Sequence, residues 1–187
     1  ESFSDFEMGT VHRIQVLLSE DLTRAIFAKS IDSPVDPELE AIAVQLKQPV
    51  IVHTERFGPL ILDRRINWFE GSVNWNGQIV SLHIEPDENL DLTNQLQTAE
   101  TLFANSLVWG ANVKKFAVQE KLELAKDWQE EEITEEDFLA RMTLETISIK
   151  PEGEFEFWHD DGDLFWGHSI QIWGSLKEGL TGSDIPG

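Results

Sequence analysis

The chain has 187 residues, a length typical of one domain, or of one domain with a small appendage. Hydrophobic residues make up 41% of it, which is too many for a disordered chain and enough to form a core without metal or disulfide support. The 35 acidic residues outnumber the 14 basic ones and give a formal net charge of −21, which argues against binding to nucleic acid or to an anionic membrane.

The absence of cysteine excludes disulfides, thiolate nucleophiles, thiolate zinc sites and iron–sulfur clusters. No apolar run approaches the roughly 20 residues of a membrane-spanning helix. The first ten residues, ESFSDFEMGT, lack both the basic and the apolar region of a signal peptide, and they do not begin with an initiator methionine. We therefore expect a cytoplasmic protein without a membrane partner.

Residues 1–48 are predicted to form a helical N-terminal extension. Asp36 is a capping residue that stands before Pro37, and proline is favoured at the first position of a helix. An earlier short helix is indicated by apolar residues at Leu22, Ala25 and Ile26. Ser33-Pro34 is expected to separate the two helices. Residues 11–18 fit a strand or a helix equally well.

Residues 49–187 are predicted to be an α+β domain, in which an antiparallel β-sheet built from hairpins packs against α-helices. The clearest local signal is Asn76-Gly77 between two alternating runs, because a two-residue hairpin turn needs positive φ at both positions. A helical stretch is expected over residues 93–128 with a break near Gly110. A second helix is expected after Thr134, which forms a capping box with Asp137.

The stretch HDDGDLFWGHSI, residues 159–170, is predicted to join two antiparallel strands through a two-residue turn at Asp161-Gly162. In that register Trp158 faces Phe165 across the ribbon. One face of the ribbon is then almost wholly apolar, as a core face must be. Its members are Phe155, Phe157, His159, Leu164, Trp166, His168 and Ile170.

The same register tests whether His159 and His168 share a metal ion. They lie four residues apart along one face, which is about 14 Å at roughly 3.4 Å per residue. Two ligands of one zinc ion must each place a nitrogen about 2 Å from it. We therefore predict no metal site and no cofactor. His168 is predicted to be a core histidine, and His159, close to the turn, a partly exposed one.

The opposite face of the ribbon offers a binding surface. Gly167 leaves a gap that Trp158 and Phe165 flank, with Glu156 opposite, and a strand glycine often marks a close approach by another molecule or backbone. A packed helix or loop would also fill such a gap. Together with His168, these residues are the predicted binding residues, and no catalytic residue is predicted.

Three stretches together resemble a known family. They are RFGPLILDRRINWFEGSVNWNG (residues 56–77), KKFAVQEKLELAKDWQEEEITEEDF (residues 114–138) and DGDLFWGHSIQIWG (residues 161–174). From about residue 50 to its end, the chain is similar to the bacterial domain of unknown function two-two-six-two, which is common in cyanobacteria among others. The resemblance implies no established activity, cofactor or catalytic residue, so no functional site is carried over from it.

The predicted function is that of a non-catalytic protein-binding module. The acids of residues 130–137 are its electrostatic patch for a basic protein partner, or else a solvated turn that favours the following helix. An immunity protein that neutralises a basic toxin is one alternative, by loose analogy with small bacterial domains that have similar endings. The other is a hydrolase that uses His168 with Asp161 or Asp163.

Overall fold

The computed structural model of the protein describes residues 10–31 and 36–187. The chain divides into two compact units, Glu1–Val50 and Ile51–Gly187. Each unit is described by itself. The predicted break at Ser33-Pro34 lies outside the described residues.

The described part of the first unit holds a β-hairpin and a helix. Strands β1 (Arg13–Leu18) and β2 (Ala25–Ile31) pair antiparallel, and helix α1 spans Pro37–Lys47. The prediction for α1 is confirmed, since the Asp36 carboxylate accepts hydrogen bonds from the first-turn amides and Pro37 opens the helix.

The predicted short helix at Leu22, Ala25 and Ile26 is wrong. Leu22 has φ of +58°, and the Asp21 carboxylate accepts hydrogen bonds from the Thr23 amide and hydroxyl. This turn reverses the chain and sends Ala25 and Ile26 into β2, opposite Leu18 and Leu17. The extension therefore combines a hairpin with a helix and is not wholly helical.

The second unit confirms the predicted α+β class. Within residues 51–187, all of which are described, eight strands form one sheet in the order β10-β9-β8-β7-β6-β5-β4-β3. The strands are β3 (Ile51–Thr54), β4 (Gly58–Asp63), β5 (Trp68–Trp75), β6 (Gln78–Ile84), β7 (Thr143–Ile149), β8 (Glu154–Asp160), β9 (Ser169–Ser175) and β10 (Gly179–Asp184). The helices are α2 (Thr93–Ala104), α3 (Ser106–Trp128) and α4 (Glu135–Arg141).

Neighbouring strands of the sheet are antiparallel with one exception, the β6–β7 pair, which is parallel. A parallel pair needs a long crossover connection, and the three helices α2, α3 and α4 supply it. The sequence pattern predicted the helices between two groups of strands but not this parallel join.

The Asn76-Gly77 hairpin is confirmed. Trp75 pairs with Gln78, and both turn residues have positive φ, +53° at Asn76 and +92° at Gly77. The Asn76 side chain donates a hydrogen bond of 2.9 Å to the carbonyl of Ser106, so the turn also anchors the start of α3.

The helical break lies at Asn105 and not at Gly110, which stays inside α3. An added Cβ at Gly110 would lie 3.2 Å from Asn76 Nδ2 and 3.7 Å from Trp75 Nε1. The glycine therefore serves the close approach of α3 to the β5–β6 hairpin. This tertiary requirement is not visible in the local sequence.

The sheet has one apolar and one polar face. Aromatic rings of the helices pack on the apolar face: Phe103 of α2 lies 4.8 Å from Trp75 between ring centroids, and Trp109 of α3 lies 5.0 Å from Phe155. The fully buried residues of this face include Leu60, Phe69, Leu82, Ile84, Ile147, Ile149, Phe155, Ile170 and Ile172. Register places polar side chains on the opposite face, among them Glu70, His83, Ser148 and Glu156.

The capping box at the start of α4 is confirmed. Thr134 accepts a hydrogen bond from the Asp137 amide, and the Asp137 carboxylate accepts from both the amide and the hydroxyl of Thr134. The hydrogen bond from the Thr134 hydroxyl is the main reason why the pKa of Asp137 lies below its ordinary range.

Replacing Thr134 by alanine is expected to lower the free energy of unfolding by about 1 kcal/mol, because an amide of the first turn loses its acceptor. Urea denaturation measures the loss. Thr101→Ala, at an exposed position within α2, is the matched control and is expected to change stability by less than about 0.5 kcal/mol. Equal losses in the two variants would contradict the capping role.

Candidate functional site

The predicted two-residue turn at Asp161-Gly162 is wrong. Strand β8 pairs with β9 so that Asp160 lies opposite Ser169 and Trp158 opposite Gln171. Residues 161–168, which we call the Asp161 loop, connect the two strands. The predicted core face is correct for Phe155, Phe157, His159 and Ile170. Leu164, Trp166 and His168 belong to the loop and not to a strand, although Leu164 is buried as predicted.

The Asp161 loop is held by the side chain of Asp161, which is only 1% exposed. Its Oδ2 accepts hydrogen bonds from the amides of Phe165 and Gly167, at 2.5 and 3.2 Å, and its Oδ1 accepts from Asp163 at 3.1 Å. Gly162 has φ of +53°, and a Cβ there would lie 2.8 Å from the carbonyl oxygen of Arg141. Asp161 thus supplies a buried carboxylate that holds the loop, and Gly162 allows the loop to approach Arg141 closely. The pair does not form a hairpin turn.

The loop buries two of its apolar side chains and exposes a third. Leu164 and Phe165 are fully buried, whereas Trp166 is 72% exposed. The Trp166 ring packs on Trp128 at the end of α3, with 4.8 Å between centroids, and Trp128 also contacts the rings of Phe165 and His168 at 5.7 Å each. Trp166 is therefore an exposed ring on a rigid aromatic support.

An acidic segment, residues 130–137, adjoins this support. The Gln129 side chain donates hydrogen bonds of 2.8 Å to the carbonyls of Asp163 and Leu164, which ties the end of α3 to the Asp161 loop. Phe138 follows the segment and contacts Phe165 at 6.5 Å between centroids. Of the segment's eight residues, all but the buried Ile133 are exposed. Trp128, Trp166 and the acidic segment together are named the Trp166 surface.

The five predicted binding residues do not form one surface. Phe165, Gly167 and His168 lie in the Asp161 loop, where Phe165 is buried and Gly167 is exposed with φ of +85°. Glu156 and Trp158 lie on the polar face of β8. There Glu156 accepts hydrogen bonds from the Lys150 ammonium at 2.5 Å and from the Trp158 indole at 3.0 Å. Trp166, which the sequence placed in the core, is exposed.

The hydrolase alternative requires His168 to act with Asp161 or Asp163, and the contacts of His168 and Asp161 do not support that role. The Asp161 carboxylate is occupied by three amides of its own loop. The His168 Nδ1 is buried without a hydrogen-bond partner, and its ring lies edge-on to Trp128. Across residues 10–31 and 36–187, no three histidine, aspartate or glutamate side chains are grouped so that they could hold a metal ion.

A second histidine occupies an unexpected place. His159 was predicted to be partly exposed, but it is 4% exposed and lines a cavity of about 290 Å³ between α3, the β5–β6 hairpin and β8. Burial lowers the pKa of His159 from its ordinary value of 6.5 to about 4. Hydrogen bonds with the backbone of Ile170 and Phe157 partly offset this lowering, and the charge of Lys114 adds to it. The side chain is neutral at pH 7.

The chain belongs to a bacterial family. Residues 54–185 match the model of DUF2262, described as an uncharacterised protein conserved in bacteria, which confirms the resemblance seen in the sequence. Neither a curated protein nor a solved structure gives a significant match. In the described parts of the chain, no helix has the length and apolar character needed to cross a membrane.

Proposed function

We propose that the protein is a non-catalytic binding module whose Trp166 surface docks a basic protein partner. The observation that carries the proposal is the exposure of Trp166, at 72%, where its ring packs on Trp128, two residues before the acidic segment begins. A large aromatic ring in that position gains free energy when a partner covers it, and tryptophan is among the residues that dominate binding energy at interfaces.

The charge of the surface favours a cationic partner. Six carboxylates, those of Glu130, Glu131, Glu132, Glu135, Glu136 and Asp137, lie within the acidic segment. An arginine or lysine side chain over the face of an indole adds a cation–π attraction, and the surrounding carboxylates pair with neighbouring cations of the partner. The net charge of −21 attracts such a partner over longer distances and raises its association rate.

The loop geometry favours docking without rearrangement. The three hydrogen bonds to Asp161 and the two from Gln129 fix the backbone that carries Trp166. A side chain that is already held in place loses less conformational entropy when it binds. The lack of cysteine suits a cytoplasmic setting, and we propose that compartment for the interaction.

Titration with an oligoarginine peptide tests the surface. At low salt, Glu130→Gln, Glu131→Gln and Glu132→Gln together are expected to weaken binding about tenfold. Trp166→Ala is expected to weaken it about fivefold. Isothermal titration calorimetry measures both effects. The effect of the triple substitution should disappear at high salt, because salt screens the attraction between the carboxylates and the peptide.

A matched control separates the surface from the overall charge. Glu88→Gln, Glu100→Gln and Glu178→Gln remove three exposed carboxylates elsewhere in the same unit and change the net charge equally. These changes are expected to weaken binding less than about twofold. If both triple variants lose affinity equally, or if Trp166→Ala binds as tightly as the wild type, the proposed surface is wrong.

A further inference from the structure

We infer that the cavity lined by His159 is a binding site for a small aromatic carboxylate. This site is distinct from the Trp166 surface. Its walls are formed by the β5–β6 hairpin, by two turns of α3 and by β7 and β8. At about 290 Å³ it lies at the lower end of the range of small-molecule pockets, which limits the ligand to about ten heavy atoms.

The walls suit an aromatic ring. Trp75 and Phe157 line the cavity, and their rings are tilted by 58° with 5.5 Å between centroids. Val113, Met142 and Leu144 provide further apolar surface. A methionine side chain adapts to the shape of a bound ring and makes favourable sulfur–aromatic contacts.

The charge of the residues that line the cavity favours a negatively charged ligand. The chain has 35 acidic residues, yet none of the described residues that line this cavity is an aspartate or glutamate. Lys114 is the lining residue that carries a charge at neutral pH, and its charge is close enough to lower the pKa of His159. On a molecule with net charge −21, this is a local site for an anionic group.

His159 lines the cavity without adding a charge that would compete with Lys114. Its side chain is neutral at pH 7 and 4% exposed, and its Nδ1 is closed off from the cavity as well as from solvent. The ring is therefore part of the wall, and Lys114 is the group that attracts the carboxylate.

The amide side chains beside the cavity are already positioned. Asn76 donates to the carbonyl of Ser106, and Gln78 donates a hydrogen bond of 2.6 Å to the carbonyl of Leu144. These bonds hold the hairpin against α3 and β7, so the cavity is formed before a ligand arrives. Pre-formed walls reduce the entropy cost of binding.

Benzoate is the probe, because it joins one aromatic ring to one carboxylate. We expect saturable chemical-shift changes at the Trp75 indole N–H and at the His159 ring, with a Kd of about 1 mM for a ligand of this size. Benzamide has the same shape without the charge, and it is expected to bind about fivefold more weakly to the wild type.

The neighbouring lysines provide the decisive comparison. Lys114 and Lys115 are both exposed residues of α3, but Lys115 does not line the cavity. Lys114→Gln is expected to weaken benzoate binding about fivefold, so that benzoate no longer binds more tightly than benzamide. Lys115→Gln should change the affinity for benzoate less than about twofold. Both substitutions lie on the helix surface and should leave the melting temperature unchanged.

Three results would overturn the inference. The first is the absence of saturable shifts at Trp75 and His159, and the second is an equal loss in the Lys114→Gln and Lys115→Gln variants. The third is benzamide that binds the wild type as tightly as benzoate does, because the cavity would then select a ring without selecting an anion.

Discussion

Replacing Asp161 by asparagine is expected to lower the free energy of unfolding by about 3 kcal/mol. The Asp161 carboxylate accepts hydrogen bonds from three amides in a buried setting. Asparagine has almost the same shape, but one oxygen becomes an NH₂ group that cannot accept. Whichever way the amide is turned, at least one backbone N–H of the loop loses its acceptor.

The neighbouring Asp160 provides a control of the same chemistry. It is exposed, and its carboxylate accepts one hydrogen bond, from the Gly162 amide at 2.9 Å. Asp160→Asn is expected to cost less than about 1 kcal/mol. Urea denaturation of the two variants gives the comparison, and similar losses would show that the Asp161 carboxylate does not hold the loop.

Acidification from pH 7 to about 4 is expected to remove about 3 kcal/mol of stability through His159 alone. The folded protein holds this side chain neutral down to a pKa of about 4, whereas the unfolded chain takes up the proton near the ordinary value of 6.5. Protonation therefore favours the unfolded state between these two values. The contribution is complete above pH 6.5 and is lost as the pH falls towards 4.

A comparison of variants isolates this effect from the many carboxylates that titrate in the same range. The difference in unfolding free energy between the wild type and His159→Gln, from denaturation at a series of pH values, should shrink steadily below pH 6.5. His53→Gln removes an exposed histidine of β3 and should leave the wild-type pH dependence in place. A constant difference between the wild type and His159→Gln would show that the His159 ring takes up its proton while the protein is folded.

The features that the sequence predicted correctly are those decided by local chemistry. The Asn76-Gly77 turn depends on two residues that tolerate positive φ, and the helix starts at Asp36 and Thr134 depend on a side-chain oxygen near the first-turn amides. Each of these signals lies within four residues, so no tertiary information is needed to recognise it.

The errors arise where tertiary contacts decide the structure. Asp161-Gly162 has the composition of a hairpin turn, but the burial of the carboxylate and the close approach of Gly162 to Arg141 make it the start of a longer loop. Glycine is a residue that often breaks a helix, but Gly110 stays within α3 and allows this helix to approach the β5–β6 hairpin closely. In both cases a distant segment determines the role of the glycine.

The candidate site was predicted only in part for the same reason. Alternation along β8 placed His159 on the apolar face correctly, but the misplaced turn made the residue look exposed. The same error put Trp166 in the core and paired Trp158 with Phe165. The cavity at His159 and the exposed Trp166 both depend on where α3 packs, which the periodicity of a single sequence does not reveal.

The seven tryptophans of the chain allow the most direct test of the proposed docking surface. Each indole N–H gives its own signal in a nitrogen–proton correlation spectrum, so titration with the oligoarginine peptide reports where the peptide binds. We predict that the signals of Trp128 and Trp166 shift most and that those of Trp68, Trp75 and Trp158 stay in place. Largest shifts at Trp68 or Trp158, or equal shifts at all seven, would contradict the assignment of the Trp166 surface as the docking site.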